Sequence, residues 1–257
     1  VSRPPLALDG RTAVVTGAAS GIGRALAVAA GQRGMHVAVC DIAAEPLEET
    51  ARLVRAAGGA ATAAVVDVGD AAAVARFAHA VSTDQPPIAL LFANAGVLRQ
   101  GSITDMPLSD WRLLFEVNVL GVVGLLAAFL PAMTASAAPA QIVITGSTGA
   151  MLSPPNLIAY SATKHALWPI AEGLRAELTA AGVPIGVSFL LPGAVATRIF
   201  DVAHPGRAAP VDSIEPAAVA DMVFAALPED PAFILTHPGY IDRFEARFAG
   251  VIDRLRD

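Results

Sequence analysis

The stretch Arg11-Thr12-Ala13-Val14-Val15-Thr16-Gly17-Ala18-Ala19-Ser20-Gly21-Ile22-Gly23 decides the fold. Its first six residues are a short β-rich run, three glycines follow, and Arg24 to Arg33 has helical composition, so the reading is strand, glycine-rich turn, helix. Glycines allow a tight turn and let the backbone approach a pyrophosphate, whose charge is met by the N–H groups and dipole of the next helix. The spacing is G-x-x-x-G-x-G rather than G-x-G-x-x-G, and such a turn alone is a weak indication. His36-Val37-Ala38-Val39-Cys40-Asp41 strengthens it. That second strand ends in an acid at about the twenty-residue distance from the glycines at which an acid meets an adenosine ribose. Asp41 can accept from both ribose hydroxyls and repels a 2′-phosphate. Neither Ser20 nor Ile42 offers that phosphate a cation, so the reading favours NAD over NADP.

Working outward, the alternation continues. The pattern predicts a helix over Ala44 to Ala57, a strand over Ala61 to Val66, a helix over Asp70 to Val81, and a strand over Ile88 to Phe92 that runs into Asn94-Ala95-Gly96. Strands alternating with helices imply a parallel sheet covered on both faces, with its ligand site at the carboxyl ends of the strands. Asp67, Asn94 and Gly96 fall just past predicted strands; Asp67 has an alternative use as a helix cap. A long helix from about Ser109 to Met133 carries Asn118 in an otherwise apolar run, where a buried amide is costly without partners. Gln141 to Thr145 then reads as a buried strand leading to Gly146 and Ser147.

Composition narrows the field. The 257 residues can bury a sizeable core, and no linker or fixed-period repeat divides them. A net charge of −6 argues against nucleic acid. Mean hydropathy is high at +0.58, but the apolar runs are short and broken. Even Leu113 to Met133 contains Glu116, Asn118 and two glycines, and reads as a helix buried in the protein or between subunits rather than a membrane span. No export pattern is visible at the first residues, and a lone Cys40 excludes an internal disulfide, which fits a cytoplasmic setting. The five histidines lack metal-ligand spacing, so no catalytic metal is expected.

Lys164 is the only lysine in the chain; every other fixed positive side chain is arginine. It lies four residues after Tyr160, one of two tyrosines, and on a helix the phenol and the ammonium share one face. A compact ammonium is not replaceable by a planar guanidinium where geometry is tight. The plain alternative is an incidental pair on a solvated face.

With T-G-x-x-x-G-I-G at Thr16 to Gly23, Ala-Asn-Ala-Gly at 93 to 96, Asn118, Ser147, Y-x-x-x-K at 160 to 164 and Pro192-Gly193-Ala194-Val195-Ala196-Thr197, the chain resembles the short-chain dehydrogenase/reductase family. The resemblance covers essentially the whole chain and fits the shorter, single-domain branch. It implies a Rossmann-type doubly wound α/β fold, a parallel sheet with helices on both faces in one domain over 1–257, and a secondary alcohol/ketone oxidoreductase. Tyr160 is then the acid/base, Ser147 holds the substrate oxygen, and Lys164 lowers the tyrosine pKa and contacts the nicotinamide ribose. Asn118 supports a water linking the lysine to solvent. Cofactor contacts are expected from Gly17, Ser20, Gly21, Ile22, Gly23, Asp41, Ile42, Asp67, Val68, Asn94, Ala95, Gly96, Pro192, Gly193, Val195 and Thr197, the last two at the carboxamide.

The same resemblance places substrate contacts after the serine and in a lid at about 197–214: Thr148, Met151, Leu152, Leu157 and Phe200, a mostly apolar set. Arg198 and Arg207 are lid residues with a possible carboxylate role. A hydrophobic secondary alcohol or ketone is expected, aromatic ones included. A homodimer or homotetramer is implied. The alternatives are an NADPH-linked ketone or 3-oxoacyl reductase and a catalytically silent dinucleotide-binding sensor or scaffold. Two features depart from the family pattern. Pro169 falls inside the helix of Lys164 and is expected to kink it. A C-terminal amphipathic helix at about 240–255, with Phe244, Phe248, Val251 and Leu255, stands where many relatives end near Asp-Gly-Gly.

Overall fold

The computed structural model describes residues 5–197, 199, 206 and 212–256. Seven strands form one sheet: β1 (Thr12–Thr16), β2 (His36–Asp41), β3 (Ala60–Val65), β4 (Ile88–Ala93), β5 (Ala140–Thr145), β6 (Ile185–Leu191) and β7 (Phe233–Leu235). Their order is β3-β2-β1-β4-β5-β6-β7, and every pairing is parallel. The order reverses between β1 and β4, which opens a crevice at the carboxyl ends of these strands. This is a Rossmann-type architecture.

The helices are α1 (Gly21–Gly31), α2 (Ala44–Ala56), α3 (Ala71–Asp84), α4 (Leu108–Phe115), α5 (Gly121–Ala135), α6 (Ile158–Ala180), α7 (Pro216–Ala226) and α8 (Ile241–Arg256). Period-two alternation in the central strands feeds two cores. Val14, Ala38 and Leu91 face α3, α5 and α6, whereas Ala13, Val15, Val37, Leu90 and Phe92 face α1, α2 and α7. Strands buried on both faces account for the near-continuous apolar runs of β1, β4, β5 and β6. The short edge strand β3 is largely exposed, including Val65.

The predicted elements lie within a few residues of these bounds, and two details differ. The expected long helix is continuous from Leu108 to Ala135, but Glu116–Leu120 is a π turn between α4 and α5. This helix is long and apolar enough to cross a membrane by length and composition; here Leu114, Asn118, Val122, Leu125, Leu126, Phe129 and Met133 are buried in the protein. Pro169 does not interrupt α6, which runs unbroken for 23 residues. The C-terminal helix is present, with Phe244 buried and Phe248 packed edge-on against Trp168, while Val251 is exposed. The Leu255 side chain lies outside the described part.

Candidate active site

The glycine-rich turn is built as the sequence requires. Gly17 has φ +66° and Gly21 φ +55°, a region that L side chains rarely adopt. A Cβ on Gly17 would fall 2.7 Å from Ala95 Cα, so the turn presses directly on the Ala-Asn-Ala-Gly segment after β4. Thr16 and Asn94 lock that contact. Thr16 Oγ1 accepts from the N–H groups of Asn94 and Ala95, each at 3.0 Å, and Asn94 Nδ2 donates to the Thr16 carbonyl at 3.1 Å. Thr145 Oγ1, from the end of β5, donates to Asn94 Oδ1 at 3.2 Å. Opposite, a Cβ on Gly21 would fall 3.0 Å from Thr197 Cγ2, so the turn also borders the segment after β6. Ser20 precedes α1 without a side-chain cap bond, and Ile22 is half-buried against the α1–α2 core.

Asp41 closes the β2 end. Its two oxygens accept from the N–H groups of Ala19 and Ala43, each at 3.0 Å, which fixes the carboxylate beside the glycine turn. Ile42 is exposed next to it. Arg24 holds the turn from behind: its Nε donates to Thr50 Oγ1 at 3.0 Å, and Thr50 Oγ1 donates to the Ala18 carbonyl at 2.8 Å. Asp67 is not the cap of α3. Asp70 takes that place, accepting from Ala72 and Ala73, while Asp67 Oδ1 accepts from Gly69 N–H and its side chain is exposed. Val68 packs beneath the long helix, close to Gly121.

Asn118, on the π turn, is fully buried and satisfied. Its Oδ1 accepts from Val97 N–H at 2.8 Å, and its Nδ2 donates to the Val97 carbonyl at 2.9 Å and to Thr163 Oγ1 at 3.0 Å. Thr163 Oγ1 in turn donates to the Tyr160 carbonyl at 2.7 Å. Lys164 is 3% exposed and its Nζ donates to the Thr145 carbonyl at 2.9 Å. A Cβ on Gly96 would lie 3.2 Å from Asn118 Oδ1 and 3.5 Å from Lys164 Nζ, so that glycine leaves room for both side chains.

Ser147, Tyr160 and Lys164 converge. A Cβ on Gly149 would lie 3.3 Å from both Ser147 Oγ and Tyr160 Cε1, so the two side chains meet over that glycine; Ser147 Oγ accepts from Gly149 N–H at 3.0 Å, and Lys164 Nζ lies 5.9 Å from the phenol ring centroid. Burial lowers the Lys164 ammonium from its ordinary value to about 8. Burial also raises the Tyr160 phenol, and the neighbouring Ser147 hydroxyl opposes that rise. Desolvation is the larger of the two influences, because a buried phenolate is stripped of water.

The remaining expectations divide. Pro192 and Gly193 sit at the carboxyl end of β6, where the Pro192 carbonyl accepts from Thr148 N–H at 2.8 Å, and Val195 bridges to Ile214. Met151 and Leu157 are half-buried near Tyr160's helix, and Leu152 is buried. Phe200, Arg198, Arg207 and most of the expected lid lie outside the described residues. Among the described residues no group of three or more His, Cys, Asp and Glu side chains is placed to hold a metal. Sequence reasoning did not single out Thr145, Thr163, Val97, Arg24 or His237. Only Thr145 left a visible trace, since Thr145-Gly146 repeats the Thr16-Gly17 pair at a strand end.

A crevice that joins a glycine-rich turn to a serine, tyrosine and lysine across a Rossmann-type sheet is the architecture of an oxidoreductase. The chain belongs to the short chain dehydrogenase family, whose model matches residues 11–207. It is similar to a 1-deoxy-11-beta-hydroxypentalenate dehydrogenase of Streptomyces avermitilis, 35% identical over 95% of this chain and 91% of the relative. Among solved structures it is similar to a short chain dehydrogenase/reductase from Burkholderia phymatum in complex with NAD, with a TM-score of 0.90, 33% identity and 96% of each chain covered. A third likeness is an alcohol dehydrogenase from the archaeon Thermococcus sibiricus complexed with 5-hydroxy-NADP, with a TM-score of 0.78, 26% identity, and 88% of this chain and 94% of that one covered.

Proposed function

We propose that the protein interconverts a hydrophobic secondary alcohol and its ketone, with NAD(H) as the preferred cofactor and Tyr160 as the acid/base. The observation that carries this reading is the convergence of Ser147 and Tyr160 over Gly149 with the Lys164 ammonium held on the same side of α6. The residues fit a nicotinamide dinucleotide: Gly17 and Gly21 let the glycine turn close against Ala95 and Thr197 at the strand ends, Gly96 lets Asn118 and Lys164 approach, and the Asp41 carboxylate stands at the adenosine end. When bound, that cofactor supplies the carbon that takes or gives the hydride.

The chain's own groups do the rest. Ser147 holds the substrate oxygen, and Tyr160 takes the hydroxyl proton as the carbinol carbon loses its hydride, since a base must touch that oxygen. Lys164 stabilises the phenolate and contacts the ribose, and a positive charge brought beside the phenol adds to its effect. Asn118 supports a water path from the lysine to solvent; its side chain is committed to Val97 and Thr163, so backbone groups of the π turn meet that water. Val195 and Thr197 hold the carboxamide end. Thr148, Met151 and Leu157 border an apolar substrate space, and relatives named as 1-deoxy-11-beta-hydroxypentalenate dehydrogenases support a hydroxyl-bearing substrate.

Asp41 supports NAD over NADP; the NADP-type ligand of the Thermococcus relative keeps the NADPH-linked reductase as the second reading. We place the enzyme in the cytoplasm as a homodimer or homotetramer. The test is a panel of apolar alcohols and ketones run with both cofactors on the wild type and Tyr160→Phe. Turnover with NAD that disappears in the variant is expected. Equal turnover in the variant sinks the tyrosine's role, and a much lower KM for NADPH overturns the cofactor preference.

A further inference from the structure

His237 follows β7 and lies in register with Gly193, because β6 and β7 pair in parallel from Phe189↔Phe233 to Leu191↔Leu235. Its imidazole is only 9% exposed and fills the notch of that glycine: a Cβ on Gly193 would fall 2.6 Å from His237 Nδ1. Gly193 N–H donates to Nδ1 at 3.1 Å, and Thr236 Oγ1 is 2.6 Å from the same nitrogen. A peptide N–H can only donate, so Nδ1 is the acceptor and the ring is the neutral Nε2–H tautomer. On the far side Tyr240 stands edge-on to the imidazole at 6.1 Å and stacks on Phe244 at 6.1 Å.

The tautomer has a cost. Nε2 is buried and has no hydrogen-bond partner among the described residues. A buried donor without an acceptor is destabilising, and a phenylalanine or leucine would fill the same notch without it. What the apolar residues lack is the acceptor for Gly193 N–H. Without it that amide is left with Thr236 Oγ1 at 3.3 Å, a long and weak contact. The Pro192-Gly193 turn is thus gripped from two sides, by Thr148 N–H on the Pro192 carbonyl and by His237 on Gly193 N–H.

We propose that His237 is a positioning residue for the nicotinamide end of the cofactor site, acting through the Gly193 amide to fix the turn that leads into Val195 and Thr197. This rests on the reading above that the segment after β6 receives the nicotinamide. It separates the two ends of the site: Asp41 and the glycine turn hold the adenosine diphosphate half, and His237 acts only on the other.

The experiment is calorimetric titration of the full chain with NADH and with ADP-ribose, which lacks the nicotinamide ring. Variants are His237→Phe, which fills the notch without an acceptor, His237→Asn, whose Oδ1 takes nearly the place of Nδ1, and His237→Leu. His237→Phe should weaken NADH about tenfold while ADP-ribose stays within about twofold, and His237→Asn should bind NADH within about threefold of wild type. Should His237→Phe fail to fold, His237→Leu, which also lacks the acceptor, must weaken NADH and spare ADP-ribose. Equal losses for both ligands, unchanged NADH binding in His237→Phe, or an Asn variant as weak as the Phe variant overturns the proposal. If wild type binds NADH no better than ADP-ribose, the reading of the segment after β6 fails first, independently of His237.

Discussion

Asn118 Nδ2 donates to Thr163 Oγ1 at 3.0 Å, and this bond ties the π turn between α4 and α5 to the turn of α6 that carries Tyr160 and Lys164. Both partners are fully buried. Thr163→Val keeps the volume and removes the hydroxyl, which leaves one Asn118 donor unsatisfied at a cost of about 1–3 kcal/mol. A fall in kcat of about tenfold is expected from the misplaced tyrosine, with recovery in Thr163→Ser. Steady-state kinetics beside urea unfolding checks this; a Val variant that is less stable yet has unchanged kcat would separate the bond from catalysis.

Lys164→Arg is expected to lose about a hundredfold in kcat/KM. The ammonium sits almost fully buried between the Thr145 carbonyl and the Gly96 backbone, close against it, and a planar fork does not fit there. Kinetics with either cofactor are the check, and near-normal turnover contradicts the geometric argument.

The pH dependence of stability should expose the same group. Lys164 titrates at about 8 in the folded protein, below the unfolded value of about 10.4, so between them the unfolded chain binds more protons. The burial cost is fully present below pH ~8 and is relieved as pH rises, so unfolding free energy gains from this group with pH. In cofactor-free protein, Lys164→Met is expected to be more stable than wild type at pH 7, with the gap narrowing towards pH ~9.5, below the tyrosine range. Urea unfolding at the two pH values measures it. A gap independent of pH rules out a depressed lysine.

Asp41 combines two tasks, since its carboxylate accepts from Ala19 and Ala43 while facing the adenosine side. Asp41→Ala should therefore lower stability by about 1–3 kcal/mol and shrink the NAD-over-NADP preference by about tenfold. Thermal melts and kcat/KM with each cofactor test the two effects separately; a variant that keeps full discrimination removes Asp41 as its source.

Much of this architecture was legible because it is written in local pattern. The Gly17, Gly21 and Gly23 spacing, the acid at Asp41 and the alternation of apolar strands with helices are short-range features, and each maps onto an element within a few residues. The hydroxyls that organise the crevice were not legible. Thr16, Thr145 and Thr163 gain their meaning from partners far along the chain, such as Asn94 and Asn118, brought close only by strand order and helix packing. Of the two acids before α3, the chain uses the nearer, Asp70, as the cap. Pro169 does not end α6, since a helix tolerates one missing N–H without a break.

The π turn at Glu116–Leu120 gives the long helix two phases. The extra residue per turn means that α4 and α5 are not in register with each other, and Asn118 sits at the join. A deletion of one residue there would let a plain α-helix form without interruption. Turning the join into plain α-helix at unchanged length would instead rotate everything on one side of it by about 100° relative to the other, carrying either Asn118 away from Val97 or the Val122–Phe129 face away from the sheet. The surplus residue thus sets the phase between the two helices, although the segment reads as an unremarkable apolar helix.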